Sequence, residues 1–384
     1  MNFECLISVI LLTIISFIHL LIYSFFMNEH HIKTLRIENF KSIKEMELEC
    51  SRINVFVGKP NVGKSNILEA IGLLGVGFNR DESLIADTVR YEELKDLFHF
   101  ENSNSPLRVY SNLDNIVMLL VGEQSLRMAV SSSNFSDDLN LETWNKYVQK
   151  QENDESNERV DRVFYIEEGG LHYSERLYLN YYDELPKHVK KYIFAPLENA
   201  KVISNGSFLH PSSGKNLISI IQNSRELRSK ISSFVKDYGL EFIIDTRNNT
   251  LGVQRKFEDG LSYILPYSLT ADTFQRMIFH HAAILSNKDS VILFEEPENH
   301  SYPPYIKGLA QAIVDDENNN QYFLTTHSPF IFNNLVENSK EVSVFIVTYE
   351  NHETKIKKMT DDELSELLDY GVDIFYNLNW YVND

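Results

Sequence analysis

The chain has 384 residues, with 36 Lys and Arg against 55 Asp and Glu, a formal charge of −19, and 43% hydrophobic and 24% charged residues. That is a globular mixture with room for two or three cores at about 150 residues per domain, and it excludes fibrous and wholly disordered classes. The acidic balance argues against a protein that coats nucleic acid by charge alone and leaves any such role to a local basic face, and two cysteines, Cys5 and Cys50, build neither a disulfide framework nor a Cys-ligated zinc site.

In chain order, the first anomaly is Cys5 to Met27, which runs without Asp, Glu, Lys or Arg. As a helix rising about 1.5 Å per residue it is long enough to cross a bilayer. Two readings stand: a membrane anchor with Lys33, Arg36 and Lys41 on its cytoplasmic side, or an extension upstream of Met27 as the start of translation. From Thr34 the pattern alternates, Leu35 and Ile37 against charged neighbours, and Glu45 to Glu49 repeats it; Ile53 to Val57 is a continuous apolar run. These predict two half-buried strands and a buried one. A Gly-containing turn over 58–65 then leads into a helix from Asn66 to Leu74, with Ile67, Leu68, Ile71 and Leu74 facing inward.

Strand-like pieces follow at Ile116 to Val121, Arg162 to Ile166 and Leu171 to Leu179, split by a Ser-, Asn- and acid-rich stretch over 131–161 that reads as a surface loop with little core. Structure resumes near Tyr192 with a strand, one helix from Lys215 to Lys236, strands at Leu240 to Asp245 and Leu251 to Phe257, and an Asp259-Gly260 turn. Helix, strand, helix and strand alternate through Ala271 to Leu285, Ser290 to Phe294, Pro304 to Val314 and Gln321 to Thr326. The expected class is α/β, a mixed sheet with flanking helices and an antiparallel β subdomain. The expected organisation is a hydrophobic segment 1–27, an N-terminal lobe 28–106, a β-rich insertion 107–191, a second lobe 192–345 and a tail 346–384.

Three motifs carry chemistry. Gly58-Lys59-Pro60-Asn61-Val62-Gly63-Lys64-Ser65 fits G-x4-G-K-[ST] between a buried strand and a helix, where backbone N–H groups and the positive end of a helix dipole converge on an anion. Lys64 would reach the β- and γ-phosphates of ATP, and Ser65 would bind Mg²⁺. Val291 to Glu296 is a buried strand ending in two acids: Glu295 suits the metal shell and Glu296 the place of a general base. The third is Thr325-Thr326-His327-Ser328-Pro329, with His327 at a strand end. Pro211 to Leu217 reads as a plain helix cap or a second anion turn.

Together with Glu296-Pro297-Glu298-Asn299-His300-Ser301-Tyr302-Pro303, Ile37 to Ser42, and Gly63-Lys64-Ser65-Asn66 running on to Ile71, these motifs resemble the ABC-like ATPases of the SMC, RecF and OLD branch over about 32–105 and 192–335. The resemblance implies an ABC-like head whose ATP site uses Gly58 to Asn66, a Mg²⁺ held by Ser65 and Glu295, and His327 as a γ-phosphate sensor. It also implies a signature segment acting on the opposite copy; Leu269 to Arg276 is the candidate, with Thr270 and Asp272 contacting ATP in trans. Alanine and aspartate stand there in place of the usual glycines, so backbone approaches phosphate less closely. Implied partners are a second copy in an ATP-dependent dimer or larger oligomer and a separate effector protein; nucleic acid and membrane stay open. With 57 residues after His327 there is no room for the nuclease domain that OLD proteins append. The implied role is the ATPase half of a bacterial phage-defence or toxin-control system in the cytoplasm, with a RecF-like repair ATPase as the alternative. A transporter subunit is disfavoured by the degenerate signature.

Overall fold

The computed structural model describes residues 30–75, 85, 88–122, 125–131, 135–136, 139–146, 162–167, 170–173, 188–196, 206–248 and 250–382. The anchor segment 5–27 and most of 131–161 lie outside them. The chain opens with β1 (Thr34–Phe40) and β2 (Ile43–Glu49), then β3 (Ile53–Val57) and α1 (Lys64–Leu73). Strands β4 (Leu107–Ser111), β5 (Asn115–Val121), β6 (Ser125–Ser131), β7 (Arg162–Glu167) and β8 (Gly170–Tyr173) add to the first hairpin as one antiparallel sheet in the order β2-β1-β4-β5-β6-β7-β8. The residues expected to form an insertion thus continue the N-terminal sheet, because β4 pairs directly with β1.

The second half holds β9 (Val189–Tyr192), α2 (Leu217–Asn223), α3 (Arg225–Lys236), β10 (Glu241–Asp245), β11 (Thr250–Lys256), β12 (Ser262–Pro266), α4 (Asp272–Ser286), β13 (Val291–Glu295), α5 (Pro303–Val314), β14 (Gln321–Thr325) and α6 (Pro329–Asn338). It ends with β15 (Val342–Glu350), β16 (Glu353–Lys358), α7 (Asp361–Tyr370) and α8 (Ile374–Val382). The central sheet runs β16-β15-β3-β14-β13-β9, parallel except for β16, while β10, β11 and β12 form a separate antiparallel sheet. Period-two alternation divides the central sheet between two cores. Val291, Leu293 and Phe323 face α1 and the antiparallel sheet; Ile292, Phe294, Tyr322 and Leu324 face α4, α5 and α6. Both faces being covered explains why these strands read as unbroken apolar runs.

Four expectations are corrected. The helix over 215–236 is two helices, broken at Ser224, whose Oγ accepts from Leu227 N at 3.1 Å and caps the second. A strand absent from the sequence reading, β12, completes the hairpin after Gly260. The boundary at 345/346 falls inside β15, which pairs with β3, so the expected tail contributes to the central sheet. The stretch 131–161 is not without core: Phe135, Leu139 and the fully buried Trp144 pack on Val117, Leu119 and Ala129.

The core behind the sheet also contains two adjacent histidines of α4. His280 lies edge-on to Phe294, and burial, then the neighbouring His281 and Arg276, push its pKa down to about 3; burial and Lys230 push His281 to about 4. Both bind protons in the unfolded chain below about pH 6.5 and not in the fold. Stability is therefore fully present above about pH 6.5 and lost as pH falls toward 4, by ~1.4 kcal/mol per pH unit for each histidine. Denaturant unfolding followed from pH 7 to 4.5 checks this; His281→Leu should flatten the slope, and an unchanged slope would rule the histidines out as its cause.

Candidate functional site

Parallel pairing brings the motifs to one edge. Glu295 lies opposite Thr325, and Thr325 opposite Phe56, so β13, β14 and β3 end level and the segments leaving them share the carboxyl edge of the sheet. Thr326 N donates to the Phe56 carbonyl at 3.3 Å, which stitches the His327 segment to the strand feeding the phosphate loop.

The loop itself is held by close approach. A Cβ on Gly58 would collide with the Val347 carbonyl oxygen, and one on Gly63 with the Thr354 hydroxyl; Gly63 also has φ +97° as the N-terminal cap of α1. A hydroxyl cluster sets this wall. Ser42 Oγ and Thr354 Oγ1 are 2.6 Å apart, Asn66 Nδ2 donates to Ser42 Oγ at 2.7 Å, and Thr354 Oγ1 donates to the Val62 carbonyl at 2.9 Å. Pro60 and Asn61 are exposed at the loop tip, Asn61 in the left-handed region at φ 61°. Lys64 bends back over the loop: its Nζ donates to the carbonyls of Gly58 at 3.0 Å and Lys59 at 2.8 Å. Burial lowers its pKa, opposed by the charges of Glu296 and Glu298.

Glu295 sits among cations. Its Oε1 accepts from Arg90 Nη2 at 3.1 Å and its Oε2 lies 3.5 Å from Lys191 Nζ. Burial opposes its charge, but Lys191, the Ser65 hydroxyl and Arg90 outweigh burial and hold its carboxyl below the usual carboxylate range. Arg90 Nε also binds Glu69 at 2.7 Å, and Lys41 completes the pairing of that fully buried acid. Glu296 follows at φ 44°, a strained conformation for a glutamate, held by its N–H donating to the Thr325 carbonyl at 3.1 Å. Its Oε2 accepts from Asn299 Nδ2 at 2.9 Å and its Oε1 lies 3.4 Å from His327 Nε2. Burial, then the positive charge of Lys64, lowers the His327 pKa against the pull of Glu296, so its imidazole is neutral at neutral pH.

Glu298, quoted above without a role, positions this histidine: its Oε1 accepts from His327 N and from Thr326 Oγ1, both at 2.7 Å. Burial raises the Glu298 pKa in spite of those bonds. Lys191 and Glu69 are further residues to which the sequence reading gave no role. Glu69 lies within the stretch carrying the resemblance, whereas Lys191 has no local signal, being a lysine inside a four-residue buried strand.

The donor set fits Mg²⁺. Ser65 and Glu295 offer a hydroxyl and a carboxylate, hard oxygen ligands, and among the described residues no group of three or more His, Cys, Asp or Glu forms a metal cage. A cation here would complete its shell with phosphate oxygens and water, as Mg²⁺ does with nucleotides. Thr270 and Asp272 are the sequence-derived site residues that stand apart. The Thr270 hydroxyl donates to the Tyr267 carbonyl at 2.6 Å, and Asp272 pairs with Arg276 at 2.6 Å. Among the described residues, neither shares a hydrogen bond or ion pair with 58–66, 295–298 or 325–328. The segment reaches the stretch after Glu298 through Thr273 Oγ1, which donates to the His300 carbonyl at 2.7 Å.

Several known proteins are similar to this chain. An "ATP/GTP phosphatase" of Helicobacter pylori is 23% identical over 325 residues, 77% of this chain and 85% of that protein. "DNA replication and repair protein RecF" of Caldanaerobacter subterraneus is 36% identical over 64 residues, 16% of this chain and 18% of that protein. An Smc head domain bound to the C-terminal domain of ScpA, from Pyrococcus furiosus, aligns at 13% identity with a TM-score of 0.47, covering 89% of this chain and 99% of that one. Residues 124–333, which hold the Glu295–Glu296 pair and His327, match the family described as "AAA domain, putative AbiEii toxin, Type IV TA system". Because that match spans more than half of the chain and the phosphate loop meets its acids and histidine at one sheet edge, the chain belongs to this family of AAA-domain, ABC-like P-loop ATPases.

Proposed function

We propose that this ATPase is a nucleotide-controlled switch, in which Mg²⁺ and ATP bound at Gly58 to Asn66 are closed over by the Leu269 to Arg276 segment of a second copy. The observation that carries it is the exposure of the γ-phosphate end: the side chains of Glu296 and His327 are 33% and 37% exposed. A general base and a sensor that open to water lack the desolvated surroundings that strengthen their electrostatics, and a second protein surface would supply them. Hydrolysis by water activated at Glu296 then releases the pair.

The test is the mass of the Glu296→Gln protein in solution, with and without ATP and Mg²⁺. Doubling on addition of both is expected; an unchanged mass with nucleotide demonstrably bound overturns the switch. The family's description as part of a type IV toxin–antitoxin system supports a sensor or regulator role in bacterial defence or toxin control through a separate effector, which would be recovered from cells by its nucleotide-dependent co-purification. The short RecF similarities support a second reading, direct action on DNA, whose signature is binding that weakens steeply with salt. Among the described residues no helix is long and apolar enough to cross a membrane, and tethering through 5–27 falls outside them.

A further inference from the structure

Glu295 faces a competition for its charge. Ser65 and Glu295 would hold a Mg²⁺ brought with nucleotide, yet both oxygens of Glu295 already lie beside cations, Arg90 Nη2 at 3.1 Å and Lys191 Nζ at 3.5 Å. A divalent ion brought within a few ångströms of both is repelled by both.

Which cation yields is decided by how each is held. Lys191 belongs to β9, in register with Leu293 of β13; its side chain is 4% exposed and its Nζ donates to the Thr88 carbonyl at 3.0 Å. Moving it would strand a buried charge. Arg90 lies outside any helix or strand, and its side chain is 67% exposed. Its backbone is anchored, because Lys41 Nζ donates to the Arg90 carbonyl, and its Nε keeps an independent partner in Glu69 Oε1 at 2.7 Å. The guanidinium therefore releases Glu295 while staying paired, and what it gives up is an ion pair of the exposed, weak kind.

We propose that Arg90 is an exchangeable counter-cation of Glu295: it holds the carboxylate in the nucleotide-free site and yields it to Mg²⁺ when nucleotide arrives. Arg90 is thus a positioning residue. It preserves the Glu295 rotamer and sets the Mg²⁺ concentration at which the site fills. Through Glu69 on α1, which Lys41 of the β1–β2 turn also pairs, the same side chain ties metal arrival to the phosphate-loop helix and the antiparallel sheet. The inference rests on the ATP-site reading above.

The test is binding of a fluorescent ATP analogue in the Glu296→Gln background, in EDTA and across a Mg²⁺ titration, so that the readout is affinity rather than turnover. Arg90→Ala should leave the EDTA affinity within about twofold and lower the Mg²⁺ half-saturation by about two- to fivefold, the range of an exposed ion pair. Arg90→Lys should fall between it and the parent. Arg90→Gln, which is shorter than arginine but keeps a polar hydrogen-bonding end without charge, should follow Arg90→Ala and guards against a folding defect in the truncation. An unchanged Mg²⁺ half-saturation in both neutral variants overturns the proposal, as does a tenfold loss of affinity in EDTA, which would make Arg90 a phosphate ligand. A parent protein that binds no nucleotide at any Mg²⁺ concentration overturns the ATP-site reading instead.

Discussion

Lys64→Ala is expected to lower ATP affinity by about 100-fold or more, while Glu296→Gln binds ATP at the parent level and loses turnover by about 10²- to 10⁴-fold. The two side chains share one end of the site but act on different steps. Lys64 already occupies the loop's hollow, its Nζ held by the Gly58 and Lys59 carbonyls at 3.0 and 2.8 Å. Phosphate oxygens would replace those neutral acceptors with charged ones, and alanine has nothing to offer in their place. Glu296 makes no hydrogen bond to the phosphate loop; its oxygens lie at His327 and Asn299. Glutamine keeps its shape and its contact with Asn299 but cannot accept a proton from water. Equilibrium binding and single-turnover hydrolysis measured on the same preparations separate the two effects. Parent-level turnover in Glu296→Gln would remove the general-base assignment and shift attention to His327.

Mixing Lys64→Ala with Thr270→Arg should restore ATPase activity that each lacks alone. In a symmetric pair, one composite site of the mixed dimer carries both defects and the other carries neither. Recovery should approach about a quarter of the parent rate if subunits exchange freely and an intact site turns over by itself: half the dimers are then mixed, each with one sound site of two. Thr270 is a demanding probe, because in the isolated chain its hydroxyl is satisfied locally by the Tyr267 carbonyl and Gln275 Nε2 donates to its own carbonyl at 3.0 Å. An ordinary helix start would tolerate arginine at this position. Parent-level hydrolysis by Thr270→Arg alone would therefore refute the signature assignment over 269–276 and with it the in-trans roles of Thr270 and Asp272.

The legible parts of this site are contiguous. Gly58 to Ser65 follows a run of five buried residues, β3, and opens α1, and the backbone of that one segment makes the anion cradle, so the motif and its place in the fold are read together. Glu295, Glu296 and His327 were likewise marked by buried runs that end at polar residues. Local reading failed where pattern and tertiary context part. Ser224 interrupts an apolar periodicity that continues on both sides of it. Trp144 lies in a polar stretch and still finds a pocket on the antiparallel sheet. β15 follows the last chemical motif, yet it lines up beside β3 and its Val347 carbonyl forms the wall that admits only a glycine at position 58.

What the sequence by itself determined is the α/β class and the order of the elements around the phosphate loop, with Lys64, Ser65, Glu295, Glu296 and His327 marked as candidates, because period, turn chemistry and a strand–loop–helix motif act over a few residues. What only the tertiary structure decided is who stands next to them. The chain of charges from Lys41 through Glu69 and Arg90 to Glu295 and Lys191 joins residues up to 254 positions apart, and Glu298 reaches forward to the backbone of His327. Such pairings depend on strand order in the central sheet and on the level ending of β3, β14 and β13. No local propensity encodes that order; it follows from burying both faces of one sheet at once, which sets the neighbours of every charge at its edge.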